Sequence, residues 1–271
     1  MNLLFSATFL CYILATAAYV VFFFSQNKKI RLGARSIFFV AGVLHFIYLI
    51  VRYVAAGHTP LTSNHEAVSF FALTITWAFL SFRWRHQVKN FGTFVSPVVT
   101  LLMLVAVLSS KHIKELPPAL QSNWLPVHAS IALMAYGFLA LAFCGGIMYL
   151  LQEREIKKKS FGLFYSRLPS LDALDSLNHH CLAIGFPLMT LGIITGSIWA
   201  RQAWGTYWQW DPKETWSLIT WFIYAALLHQ RLTVGWRGKR AAIMSIIGFS
   251  AVLFTLWGVS FLLSGLHSYV G

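Results

Sequence analysis

Apolar runs of about 18 or more residues recur along this chain, each long enough to cross a hydrocarbon core of roughly 30 Å as a helix. Lipid offers no water to unpaired backbone groups, so these runs are expected to be helices that satisfy their own amides. Eight spans are read, at 3–24, 36–56, 67–83, 92–109, 126–151, 180–199, 214–229 and 240–264. The fold expected is all-α, a polytopic membrane protein filling residues 1–271 as a single membrane domain. Composition agrees: 58% of the residues are hydrophobic and only 11% are charged, too little polar surface for a water-soluble domain of 271 residues.

The net charge of +13 invites a nucleic-acid reading, but its distribution excludes one. Lys28, Lys29, Arg31 and Arg35 lie together, as do Arg83, Arg85 and Lys89. Arg154, Lys157, Lys158, Lys159 and Arg167 form a third group, and Arg231, Arg237, Lys239 and Arg240 a fourth. Each group sits in a break between apolar runs, and every second loop is basic. That is the positive-inside pattern, so the partner of this charge is the lipid bilayer and its cytoplasmic face. Both termini and the loops 57–66, 110–125 and 200–213 then face outward. The first span has no basic residue before it and two lysines after it, the reverse of a cleavable signal peptide. The long inward loop, 152–179, is expected either to lie along the membrane surface or to be a solvated connector. Cys11, Cys144 and Cys181 fall inside apolar runs without a C-x-x-C pair, and read as small buried residues.

The stretch from Trp199 to Trp221 is the most informative. Asp211-Pro212-Lys213-Glu214 reads as a helix start: Asp211 as N-cap, Pro212 at the first helical position, Glu214 as the acid of a capping box. Capping is the first explanation for both acids. Trp204, Trp208 and Trp210 are harder to dismiss. An interfacial belt places one or two aromatic residues at a span end, and three within seven residues offer a flat apolar shelf to a planar ligand. Gly205 allows close approach of backbone to such a ligand.

The pattern W-G-x-x-W-x-W-D-x-x-E at 204–214 resembles the haem-handling membrane proteins that share a tryptophan-rich WWD domain, here placed at 199–221. The nearest likeness is to the CcsA type (also called CcsB or ResC) of cytochrome c biogenesis, system II. It extends through Gly185-Phe186-Pro187, Gly192 to Gly196, Trp199, Gly235 to Ala242, and Gly265 to Tyr269, with weaker agreement at Gly57-His58, Asn64 to Glu66 and His128 to Tyr136.

Haem iron takes imidazole as an axial ligand, and two histidines share the predicted depth of the tryptophan loop. His128 starts the fifth span and His267 ends the eighth, both on the outer side. The resemblance implies the same pair as ligands of an outward-facing haem b, with Trp204, Trp208, Trp210 and Asp211 cradling its edge and Gly205 and Glu214 completing the segment. His229, at the inner end of the seventh span, matches a family histidine proposed to hold haem on its way outward, a possible second haem site. His45 ranks below it as a buried histidine bonded to a neighbouring helix. For His58 and His65 loop ordering and haem contact are equally open. His179 and His180 mark an inner interface, and His86 and His112 are solvated.

The resemblance implies a haem-lyase component that delivers and presents haem for covalent attachment to an apocytochrome c bearing C-x-x-C-H, working with a membrane partner of the CcsB (ResB) type. No side chain reads as a nucleophile or general base, so no catalytic residue is assigned and the rate is expected to come from proximity. The membrane would be the bacterial inner membrane, or a thylakoid if the chain is plastid-encoded. Two rivals stay open: a HemX-like regulator of haem synthesis that binds haem without chemistry, and a transporter of another aromatic solute.

Overall fold

The computed structural model describes residues 2–85, 88–110, 112, 120–159 and 162–262. Among them it is all-helical: α1 (Asn2–Ser25), α2 (Lys28–Ala56), α3 (Asn64–Arg85), α4 (Phe91–Leu108), α5 (Trp124–Lys157), α6 (Leu163–Arg167), α7 (Leu171–Trp204), α8 (Pro212–Thr233) and α9 (Lys239–Leu253), which runs on through a π-helical turn (Phe254–Gly258) into α10 (Val259–Leu262). Seven of these helices, α1 to α5, α7 and α9 with its π turn, are long and apolar enough to cross a membrane. The remaining expected span is α8, a 22-residue helix whose ends carry Lys213, Glu214, His229, Gln230 and Arg231; these polar ends lower its hydropathy. The chain is a polytopic membrane protein.

The expected long loop at 152–179 is shorter than its composition suggested. α5 continues to Lys157 and α7 already starts at Leu171. Between them α6 is tied to neighbouring helix ends: Arg167 donates to Phe24 O (3.0 Å) and its own carbonyl accepts from Asn90 Nδ2 (2.6 Å), while Phe164 packs on Phe23.

The described chain divides into two compact units, residues 1–113 with 151–173 and residues 114–150 with 174–271. In the first, α1 packs on α2 and α4, and α3 on α4. Its helix ends are written locally. Asn27 caps α2 by accepting from Lys29 N (2.9 Å), and Gly57 closes it in the left-handed conformation, φ 70°, as C-terminal caps commonly do. Ser63 Oγ accepts from Glu66 N while Glu66 Oε2 accepts from Ser63 N, so α3 starts on a capping box.

A polar string runs down the core of this unit. Arg52 and Glu66 form an ion pair at 2.6 Å with both side chains essentially inaccessible. His65 donates from Nδ1 to Ala106 O (2.7 Å), which leaves Nε2 to accept from the Tyr48 hydroxyl (2.7 Å). His45 is bonded at both ring nitrogens, to Ser69 Oγ (2.8 Å) and Tyr12 OH (3.2 Å), and Tyr12 reaches on to Thr76 Oγ1. In an apolar interior polar groups persist only when paired. His45 and His65 are therefore interior braces.

In the second unit polar contacts join several of its helices. Asn178 of α7 donates to Ala142 O on α5 and to Ser245 Oγ on α9. Trp221 Nε1 of α8 donates to Thr190 Oγ1 on α7 (2.9 Å). At the basic end the Asp175 carboxylate takes two bonds from Arg231 and one from Gly238 N, and its carbonyl a third from Arg231, which pins the α8–α9 turn to α7. Cys144 and Cys181 are buried and Cys11 partly so, and none is in a disulfide.

Candidate functional site

The tryptophan segment closes one end of the second unit, where the end of α7, the start of α8 and the start of α5 meet. Trp199 lies in the last turns of α7 and is buried with Leu120 and Leu125, flanked by Ala203 and Trp204. The Trp199 and Trp204 rings meet at 4.8 Å and 62°. After α7 the chain turns through Gly205, whose φ of 83° suits a residue without a Cβ. Arg201 donates to the Gly205 carbonyl and also lies over the Tyr207 ring, 5.8 Å from its centroid.

Asp211 and Glu214 do what their spacing indicated. Asp211 Oδ2 accepts from Lys213 N (3.0 Å), and Glu214 Oε2 accepts from Asp211 N (3.2 Å) and Gln209 N (2.8 Å). Both side chains are buried and Pro212 takes the first helical position. The carboxylates thus hold the loop against α8.

The loop holds two aromatic side chains outward. Trp210 is 68% exposed and Tyr207 61% exposed. Trp210 has φ 58°, a conformation that is rare for a bulky residue and costs about 1–3 kcal/mol. Its ring meets that of the half-buried Trp208 edge-on at 5.8 Å. The capping box tethers the backbone on either side of this strained residue. The loop thus displays a large indole from a strained backbone that its capping box anchors.

His128 stands on the second turn of α5 at this same end. Its Nδ1 lies 2.8 Å from Gly192 O of α7, and a carbonyl can only accept, so Nδ1 carries the proton and Nε2 carries the lone pair. Its ring stacks on Trp199 at 5.9 Å and 12°. Room for the ring depends on Gly196, where a Cβ would come within 2.7 Å of the imidazole. One face of α7, spaced 192, 196 and 199, thus builds the seat of His128: a carbonyl, a gap and an indole. This seat was missed in sequence, although Gly192, Gly196 and Trp199 fall at the i, i+4, i+7 spacing of a helix face. A histidine held through one nitrogen to a backbone carbonyl has the arrangement used to orient a metal-ligating imidazole.

His267 lies outside the described residues. His229 is exposed, near the far end of α8, about 25 Å along the helix from Pro212 at 1.5 Å per residue, so it belongs to a different place from the tryptophan loop. Near that end of the unit, His179 and His180 lie with their ring centroids 6.0 Å apart on α7. His58 makes a local contact with the Thr59 carbonyl in the α2–α3 connection, His112 is exposed, and the side chain of His86 lies outside the described residues.

Residues 1–267 match the family model described as cytochrome C assembly protein. The chain is 34% identical to "Cytochrome c biogenesis protein CcsA" of Trieres chinensis, over 91% of this chain and 89% of that one. It is 36% identical to the protein of that name from Chlamydomonas reinhardtii, over 85% and 66%, and 35% identical to that of Synechococcus sp. (strain JA-3-3Ab), over 82% and 80%. Among solved structures, "Cytochrome c Heme Lyase CcmF" superposes with a TM-score of 0.64 at 18% identity, over 98% of this chain and 46% of that one; at that identity the likeness is one of fold. None of these relatives supports the HemX-like reading. The chain belongs to the cytochrome c assembly family, as a CcsA-type cytochrome c biogenesis protein.

Proposed function

We propose that this chain holds haem b at its tryptophan end and presents it for covalent attachment to apocytochrome c. The observation that carries the reading is the seat of His128: the Gly192 carbonyl fixes the tautomer, so Nε2 offers its lone pair to a metal without a protonation step. His267 supplies the second imidazole. Trp204, Trp208 and Trp210 bear on the porphyrin face and edge, Gly205 gives the loop its turn, and Asp211 and Glu214 act by holding that loop on α8. Haem is the substrate here. A cysteine thiol of the C-x-x-C-H segment adds across a haem vinyl group, the sulfur bonding to one vinyl carbon and the hydrogen ending on the other. No atom is lost and no net redox change is needed. The chain contributes position, holding the vinyl groups where the thiols arrive.

The tryptophan end faces outward and the basic loops inward, by the positive-inside rule. The membrane is the bacterial inner membrane or a thylakoid, and a CcsB (ResB)-type protein brings the apocytochrome. His229, at the other end of α8, receives haem before it reaches the tryptophan end. The whole chain acts as one membrane domain, with residues 199–221 as its haem-contacting segment.

The test is to produce the full chain with a CcsB-type partner and an apocytochrome c, in a host without its own maturation system, and stain for covalently bound haem. Stained cytochrome with the native chain, and about a hundredfold less with W208A/W210A, is expected, a loss within what positioning is worth. Staining independent of this chain would overturn the proposal and return the HemX-like regulator to consideration.

A further inference from the structure

The basic end of the first unit holds a cavity of about 320 Å³ that plays no part in the tryptophan site. Lys28 and Arg31 from the first turn of α2, Arg83 from the end of α3 and Lys89 just before α4 all line it. The described residues of its wall include no acidic side chain. Two helices begin at this cavity, the 29-residue α2 and the 18-residue α4, and their dipoles add to the positive potential. Asn90, at the N-cap of α4, makes no side-chain cap bond. Its carboxamide is spent elsewhere, accepting from Gln26 Nε2 (3.3 Å) and donating to Arg167 O (2.6 Å).

Two donors at this cavity are buried without an acceptor among the described residues, the hydroxyl of Tyr19 and Nη1 of Arg83. Tyr19 is 5% exposed. Its ring lies so close to the start of α4 that a Cβ on Gly92 would fall 2.4 Å from it, and the hydroxyl has little freedom to seek a partner. Buried donors are almost always paired. An anion in the cavity would accept from both.

The lining of the cavity is also partly apolar. Phe22, Phe79 and Phe91 line it, the Arg31 guanidinium lies over the Phe22 ring at 6.0 Å, and Val21, Phe24 and Leu32 beside it in sequence are exposed. A cationic pocket at the ends of membrane-spanning helices, with exposed apolar residues next to its lining residues in sequence, suits an amphiphile with an anionic head. We propose that this cavity binds the phosphate of an anionic phospholipid, with Tyr19 OH and the Arg83 guanidinium donating to phosphate oxygens and Lys28, Arg31 and Lys89 supplying charge. The acyl chains lie along the exposed apolar face of α1. Such a lipid fixes the ends of α1 to α4 to one another.

Native mass spectrometry of the purified full chain, exchanged into equimolar phosphatidylglycerol and phosphatidylcholine, tests this. Retention of phosphatidylglycerol in preference to phosphatidylcholine, falling on the order of tenfold in K28Q/R83Q and measurably in Y19F, is expected, while K157Q/K158Q keeps the native preference. Y19F removes one oxygen and so separates loss of binding from loss of fold, which circular dichroism checks in each variant. Equal retention of the two lipids, or a preference that K28Q/R83Q leaves intact, would overturn the proposal. So would capture of inorganic phosphate by lipid-free protein at the expense of phosphatidylglycerol, or loss of bound haem instead of lipid in K28Q/R83Q.

Discussion

The first unit and the second treat histidine in opposite ways. His45 and His65 sit in the polar string of the α1–α4 unit with both ring nitrogens engaged, by hydroxyls and a backbone carbonyl. Each is a brace, and neither has a nitrogen to give a metal. His128 in the second unit is held through Nδ1 to Gly192 O and by a stacked indole, an arrangement that orients the ring and reserves Nε2. A histidine deep in a membrane protein is thus informative only together with the partners of each nitrogen. The units differ likewise in their acids. Glu66 adds an ion pair with Arg52 to its capping box at the start of α3, whereas the capping box of Asp211 and Glu214 holds the tryptophan loop to the first turn of α8.

That contrast can be broken in graded steps. The largest effect is expected from the buried ion pair: Glu66→Gln leaves the Arg52 charge uncompensated and should cost about 3–5 kcal/mol of stability, read as a fall in thermal midpoint in detergent with little specific effect on haem in the fraction that remains folded. Gly196→Ala should do the reverse. It forces the His128 ring to move, weakening haem retention about 10- to 100-fold, as loss of a ligand-orienting contact does, while the thermal midpoint shifts much less than in Glu66→Gln. Asp211→Ala removes the cap of α8 and should cost about 1 kcal/mol, with reduced haem retention because the loop loses its anchor. The smallest effect is expected from Tyr48→Phe, which deletes one hydrogen bond to His65 at about 1 kcal/mol and should leave the haem absorption spectrum unchanged. A haem spectrum altered by Tyr48→Phe and untouched by Gly196→Ala would invert the assignment of the two units.

Much of this was legible in the residues. The spans follow from apolar runs, and the α8 start was readable to the residue because Asp-Pro-x-Glu carries its own capping geometry. The positions of Trp208 and Trp210 were visible, but not the positive φ that displays Trp210. The helical extensions through 152–157 and 171–179 were hidden because charged residues at an aqueous helix end look like loop. For His65 the residues leave loop ordering and haem contact equally open, since nothing local announces that Tyr48 and Ala106 O close on it. The seat of His128 depends on residues 64 to 71 positions away in sequence, and only packing brings Gly192, Gly196 and Trp199 to it.

The most direct measurement is the absorption spectrum of the purified full chain with dithionite-reduced haem, native against His128→Gly. A low-spin, bis-imidazole spectrum that His128→Gly abolishes and added imidazole restores is the expected result. If His128→Gly keeps the native spectrum without added imidazole, His128 is not an axial ligand and the account of the tryptophan end fails.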